Sequence, residues 1–157
     1  VAAPENMISI LGSYDAIFLG ALGWPEARDD GITLEPLIRM RQSFDLFACV
    51  RPAKSFAGVP NPLSANEPID LVVVRENSEG EYVNVGGSFG RGSPNEVAVQ
   101  SAMHSRKGIE RILRYGLELA SSPKRRQRLT MITKSNAQRF GMGLWDDVLE
   151  DLIVSGV

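Results

Sequence analysis

The chain has 157 residues, 43% of them hydrophobic and 23% charged, with a formal net charge of -2. It is long enough to bury a full-sized core, and the near balance of acids and bases excludes a general nucleic-acid binder, which needs a basic surface to displace counterions. The single cysteine, Cys49, excludes an internal disulfide framework and no apolar run nears the ~20 residues of a membrane helix, so the cytoplasm is the expected compartment and neither nucleic acid nor membrane is an expected partner.

In chain order, Tyr14 to Leu22 (YDAIFLGAL) reads as an apolar strand ending in small residues, with Gly23, Trp24 and Pro25 as its breaker. Such a turn at the carboxyl end of a parallel strand is where α/β proteins place ligands, and it is equally a plain tight connection. After a polar loop, Glu26 to Gly31, the residues Leu34, Leu37, Ile38 and Arg41 fall at helical spacing, with Thr33 as N-cap and Glu35 in the first turn. Arg39 and Arg41 near the C-terminal end of this helix suit its dipole, which accounts for them on local grounds. Phe44 to Lys54 (FDLFACVRPAK) reads as a second short strand, broken at Arg51-Pro52, and a proline-rich loop, Ala57 to Pro68, follows it.

Ile69, Leu71, Val72, Val73 and Val74 form a continuous apolar run rich in β-branched residues, which suits a strand covered on both faces. Arg75 and Glu76 end it, and Asn77 to Tyr82 supply a polar turn. An arginine at the mouth of a buried strand must meet an anion or water. Beyond the glycines at 86, 87, 90 and 92, the segment Glu96 to His104 (EVAVQSAMH) alternates closely enough for a half-exposed strand. Two strands here make an excursion suited to an interface arm. The glycines lack the preceding strand and following helix of a phosphate loop. His104, the only histidine, sits at a strand-helix junction and reads as structural.

Ser105 caps the clearest helix, whose apolar stripe is Ile109, Ile112, Leu113, Leu117 and Ala120. Pro123 to Arg128 (PKRRQR) reads as a solvated turn, because no aromatic residues interleave with its charges. Leu129 to Thr133 is the next expected strand, ending in Lys134, Ser135 and Asn136. Phe140, Leu144, Trp145, Val148, Leu149 and Leu152 mark a last helix with a wide buried face, its first turn weakened by Gly141 and Gly143.

Strands and helices thus alternate, which predicts an α/β architecture with a substantially parallel sheet. Arg51, Arg75 and Lys134 stand where apolar strands end, and Arg41 ends a helix. Such a set of cations at the ends of apolar elements suggests an anionic substrate held by forked guanidinium contacts; a phosphate would also suit them.

The series RMRQSFDLFACVRPAK, IDLVVVRENSEGEY and ITKSN resembles the β-decarboxylating dehydrogenases, the family of isopropylmalate, isocitrate and tartrate/D-malate dehydrogenases. The likeness runs in order through nearly the whole chain. RENSEGEY followed by VGG, then IERILRYGLELA and TKSNAQRFGMGLWDD, look most like the tartrate/D-malate branch. The resemblance implies an isopropylmalate dehydrogenase-like α/β fold, incomplete in this chain, with a β-strand dimerisation arm. Residues 1–45 would belong to the nucleotide-side domain and 46–157 to the second domain, which serves dimerisation and substrate binding. A start at Val1 and a helix running out at Ile153 to Val157 fit an internal piece of such an enzyme.

The same resemblance implies roles. Arg41, Arg51 and Arg75 would bind the carboxylates of a malate-type substrate, with arginine chosen because its fork fixes the plane of each carboxylate. Tyr82 would protonate carbon after carbon dioxide leaves. Lys134 would help deprotonate the substrate hydroxyl, reaching in from the partner of a homodimer with shared active sites. Asn136 would lie near the nicotinamide of NAD. A divalent Mg or Mn ion is implied too, with its aspartate ligands outside this chain. The expected reaction is oxidative decarboxylation of D-malate or tartrate; isopropylmalate oxidation, and a non-catalytic dimerising fragment, are the alternatives.

Overall fold

The computed structural model describes residues 3–23, 25–26, 35–60 and 68–156. In chain order these form α1 (Met7–Leu11), α2 (Glu35–Ser43), β1 (Ala48–Lys54), β2 (Asp70–Glu76), β3 (Gly80–Phe89), β4 (Val97–Met103), α3 (Arg106–Ser121) and α4 (Gly141–Val154). Thr33 and Leu34, expected to open α2, lie outside the described residues, as do Trp24 and part of each expected loop.

The core is built where the apolar periodicity is strongest. Ile109 and Leu113 of α3 pack against Val148 and Leu152 of α4, with Leu117, Met131, Leu144, Trp145 and Leu149 closing around them. Ser105 begins α3 as read from the sequence: its backbone is extended and its hydroxyl accepts the Gly108 N–H at 2.9 Å. In α4 the expected buried face is narrower at its start. Phe140 is 95% exposed and occupies the N-cap position, outside the stripe. His104, read as structural, packs beside α4: its Nδ1 accepts the Trp145 indole N–H at 3.2 Å, the two rings meet edge to face, and its Nε2 is buried without a partner among the described residues.

The sheet departs from expectation. β1 pairs with β2 and β3 with β4, and both ladders are antiparallel, so the described residues do not build the substantially parallel sheet that the alternation predicted. Seven residues (90–96) join β3 to β4, whereas a parallel crossover takes about a dozen or more. The expected strands Tyr14–Leu22 and Leu129–Thr133 are not strands: no other chain segment among the described residues pairs with them, and extended backbone is a strand only when a ladder partner takes its N–H and C=O groups. Phe18 and Ile132 are accordingly almost wholly exposed.

β1 starts later than the expected segment Phe44–Lys54, and it is not broken. Arg51 and Pro52 lie inside it, opposite Val73 and Val72, rather than at its end. Proline is tolerated because, among the described residues, β1 is an edge strand with one neighbour. The β2 run is not covered on both faces either. Val72 and Val74 are half-buried on the side of β2 against α3, while Leu71 and Val73 are exposed. β3 and β4 form the anticipated two-stranded excursion, with Phe89, Val97 and Val99 exposed on it.

Candidate active site

The exposed face of the β1–β2 ribbon carries the cations. Directly opposed residues share a face, and the register sets Cys49 opposite Arg75 and Arg51 opposite Val73. Arg51 and Arg75 are therefore diagonal neighbours on one face, about 7–8 Å apart at the backbone. Arg75 is half-buried and Arg51 exposed.

Tyr82, near the start of β3, gathers two of the three arginines. The Arg41 guanidinium lies 5.4 Å from its ring centroid and that of Arg75 lies 5.5 Å away. Each is within reach of the ring's negative face. Helix α2 reaches this point because Gln42, beside Arg41, donates to the Tyr82 carbonyl at 3.3 Å. Residues from a helix and a strand end thus converge on one phenol of a second strand. Among the described residues, the Arg41 guanidinium has no ion-pair or hydrogen-bond partner, and Arg75 Nε is buried without an acceptor. Two guanidiniums beside one ring, without a carboxylate partner among the described residues, are chemically able to receive an anion.

The turn between β2 and β3 is closed by contacts that sequence reading missed. Glu76 folds back to accept the Ser78 N–H, the Ser78 hydroxyl and the Glu79 N–H, at 2.6–3.1 Å. Glu79 reaches the start of α3, accepting the Ser105 N–H at 2.8 Å and the Ser105 hydroxyl at 2.6 Å. Arg111 of α3 donates to Asp45 at 2.8 and 2.9 Å and to Ser78 at 2.7 Å, and its guanidinium stacks 4.6 Å above the Phe47 ring. Apart from those of Glu76, none of these partners is close in sequence. The one available signal was the density of polar residues in RENSE beside a capped helix.

Lys134 and Asn136 lie elsewhere. Both are exposed in the turn before α4, where Lys134 contributes its carbonyl to the Ala137 and Gln138 N–H groups at 3.0 and 2.9 Å. Among the described residues, no hydrogen bond, ion pair or cation–π contact joins either to the arginines around Tyr82. Nor do the described residues gather three or more His, Cys, Asp or Glu side chains that could hold a metal ion. No helix among them is long and apolar enough to cross a membrane.

Residues 1–155 match the family model described as isocitrate/isopropylmalate dehydrogenase. The chain is 43% identical over 150 residues to D-malate dehydrogenase [decarboxylating] of Escherichia coli (strain K12), covering 94% of this chain and 41% of that protein. It is 44% identical over 148 residues to a probable tartrate dehydrogenase/decarboxylase of Bacillus subtilis (strain 168), with 94% and 41% covered. Among solved structures, isocitrate dehydrogenase from Methylococcus capsulatus superposes with a TM-score of 0.79 at 28% identity, over 98% of this chain and 43% of that one. The chain thus spans about two-fifths of the length of the curated relatives it matches.

Proposed function

The chain belongs to the isocitrate/isopropylmalate dehydrogenase family, and from that premise we propose that the complete protein oxidatively decarboxylates a malate-type 2-hydroxy acid, D-malate or tartrate, with hydride transfer to NAD. The observation that carries the reading is the pair of guanidiniums, Arg41 and Arg75, each within 5.5 Å of the centre of one phenol ring, with a buried Nε donor unspent. The names of the relatives just described narrow the substrate class, since they pair D-malate or tartrate with decarboxylation.

On this reading Arg41, Arg51 and Arg75 bind the two carboxylates of the substrate. Their planar forks fix its orientation as well as its charge. The Tyr82 hydroxyl gives its proton to the carbon from which carbon dioxide departs. Lys134 takes the proton of the substrate hydroxyl in the neighbouring subunit's site, which fits its making no contact with its own chain's arginines among the described residues. Asn136 lies beside the nicotinamide. A divalent Mg or Mn ion, if bound, would polarise the hydroxyl and the carbonyl it becomes, but the described residues do not supply its ligands. Residues 1–45 belong on this view to the nucleotide-side domain and 46–157 to the second domain. The β3–β4 ribbon is the arm of a homodimer, and the protein acts in the cytoplasm.

The test is direct. The complete protein is assayed with D-malate, tartrate and isopropylmalate, each with NAD and with NADP, in Mg or Mn, following nicotinamide reduction and carbon dioxide release together. Reduction coupled to carbon dioxide release from D-malate or tartrate with NAD is the expected result. Preference for isopropylmalate, or oxidation without carbon dioxide, overturns the proposal.

A further inference from the structure

We propose that Asn77 is the positioning residue of the Arg75 guanidinium, holding it ready for a carboxylate without spending its charge; the carboxylate's identity rests on the function proposed above. Asn77 is 7% exposed. Both ends of its amide are used. Oδ1 accepts from Arg75 Nη2 at 2.7 Å, and Nδ2 donates to the Leu46 carbonyl at 3.1 Å. These partners fix the amide's orientation, since the flipped group would face NH2 to a guanidinium and oxygen to a carbonyl.

The Leu46 N–H in turn donates to the Arg41 carbonyl at 2.8 Å. A continuous path therefore joins the two arginines that flank Tyr82: Arg41 backbone, Leu46 backbone, Asn77 side chain, Arg75 guanidinium. The backbone N–H of Asn77 adds a bond to the Phe47 carbonyl at 2.9 Å, so the amide cannot shift without disturbing the entry to β1. Holding an arginine before the ligand arrives removes part of the ordering cost of binding.

The chemistry of the partner matters as much as its place. Glu76, next to Arg75 in sequence, would neutralise it, but that carboxylate is turned onto Ser78 and the Glu79 N–H. Arg75 is oriented instead by a neutral amide. It keeps its full charge and a buried Nε donor without an acceptor among the described residues.

The experiment compares wild type, Asn77→Ala and Asn77→Asp in the complete protein. The Arg75 Nε–H resonance, assigned by its loss in Arg75→Lys, is followed by hydrogen exchange in 15N-arginine-labelled protein without substrate. D-malate binding with Mn is measured separately by calorimetry, with no nicotinamide present so that nothing turns over. Alanine removes both side-chain bonds, whereas aspartate loses the donor to Leu46 but keeps an acceptor for Arg75.

Exchange should quicken about tenfold or more in Asn77→Ala, the loss expected of a hydrogen bond to a charged group, and stay slow in Asn77→Asp. D-malate should bind more weakly to both, to the first through disorder and to the second through lost charge. Unchanged exchange in Asn77→Ala overturns the proposal. So does equally fast exchange in both variants, which would assign Asn77 to the Leu46 carbonyl alone. If wild type fails to bind D-malate while exchange follows the expected pattern, the substrate reading falls and the positioning of Arg75 stands. Should Asn77→Ala not fold, Asn77→Asp against wild type still decides: slow exchange with weakened D-malate supports the proposal, and fast exchange overturns it.

Discussion

The carboxylate of Glu79 fills the space that a side chain at position 108 would need: a Cβ built on Gly108 falls 2.6 Å from the Glu79 Cδ. Glycine in the first turn of α3 is therefore what lets the turn after β2 dock its acid on the helix N-terminus, where the dipole and two Ser105 donors receive it.

The sign of a substitution there should depend on Glu79. In the wild-type background Gly108→Ala should destabilise by about 1 kcal/mol or more, because it expels the carboxylate from its cap. In a Glu79→Ala background the same change should be neutral or stabilising by up to about 1 kcal/mol, the usual gain of alanine over glycine in a helix. Denaturant midpoints of the four proteins measure this, and a destabilisation of equal size in both backgrounds would disconnect the two residues.

A second glycine pair provides its own control. A Cβ on Gly141 would meet His104 Cδ2 at 2.7 Å, and that ring is held in place by the Trp145 indole, whereas a Cβ on Gly143 has nothing within 4 Å. Gly141→Ala should cost about 1–3 kcal/mol through overpacking. Gly143→Ala should gain up to about 1 kcal/mol from helix propensity alone. Thermal melts that rank the two the other way would show that the His104 ring moves aside freely.

Arg75→Lys in the complete protein should lower kcat/KM about 10- to 100-fold, the worth of a charge-assisted hydrogen bond that a point-like ammonium cannot reproduce in the plane of the fork. Steady-state kinetics on D-malate and tartrate test it. Undiminished efficiency would make Arg75 a strand-end charge with no part in the site.

The exposed place of Lys134, away from the arginines of its own chain, leads to a complementation experiment. Arg75→Ala and Lys134→Ala proteins, each nearly inactive alone, are unfolded together and refolded. If Lys134 serves the partner's site, each mixed dimer has one site with both lesions and one with neither, and random pairing restores about a quarter of wild-type activity. If it serves its own chain, every site retains a lesion and the mixture stays inactive.

Local pattern alone marked α2, α3 and α4, though not the short α1. The stripe through Ile109 and Leu113 and the cap at Ser105 follow from side-chain spacing and from a hydroxyl placed to accept the Gly108 N–H, both properties of neighbouring residues. The residues that could handle an anion were legible too, since arginine and tyrosine advertise their chemistry, and the structure brings Arg41, Arg75 and Tyr82 together. Strand pairing was not legible, because a ladder is made between segments: YDAIFLGAL has the composition of a strand and no partner among the described residues, while Arg51-Pro52, which looked like a break, lies inside β1 on an edge that tolerates it. The contacts of Asn77 with Leu46, Glu79 with Ser105 and Arg111 with Asp45 were equally invisible, since they span 31, 26 and 66 positions of sequence. Hydrogen bonds over such separations exist only once the chain has closed those loops, so tertiary structure alone could decide which polar residues of RENSEGEY face a ligand and which hold the others in place.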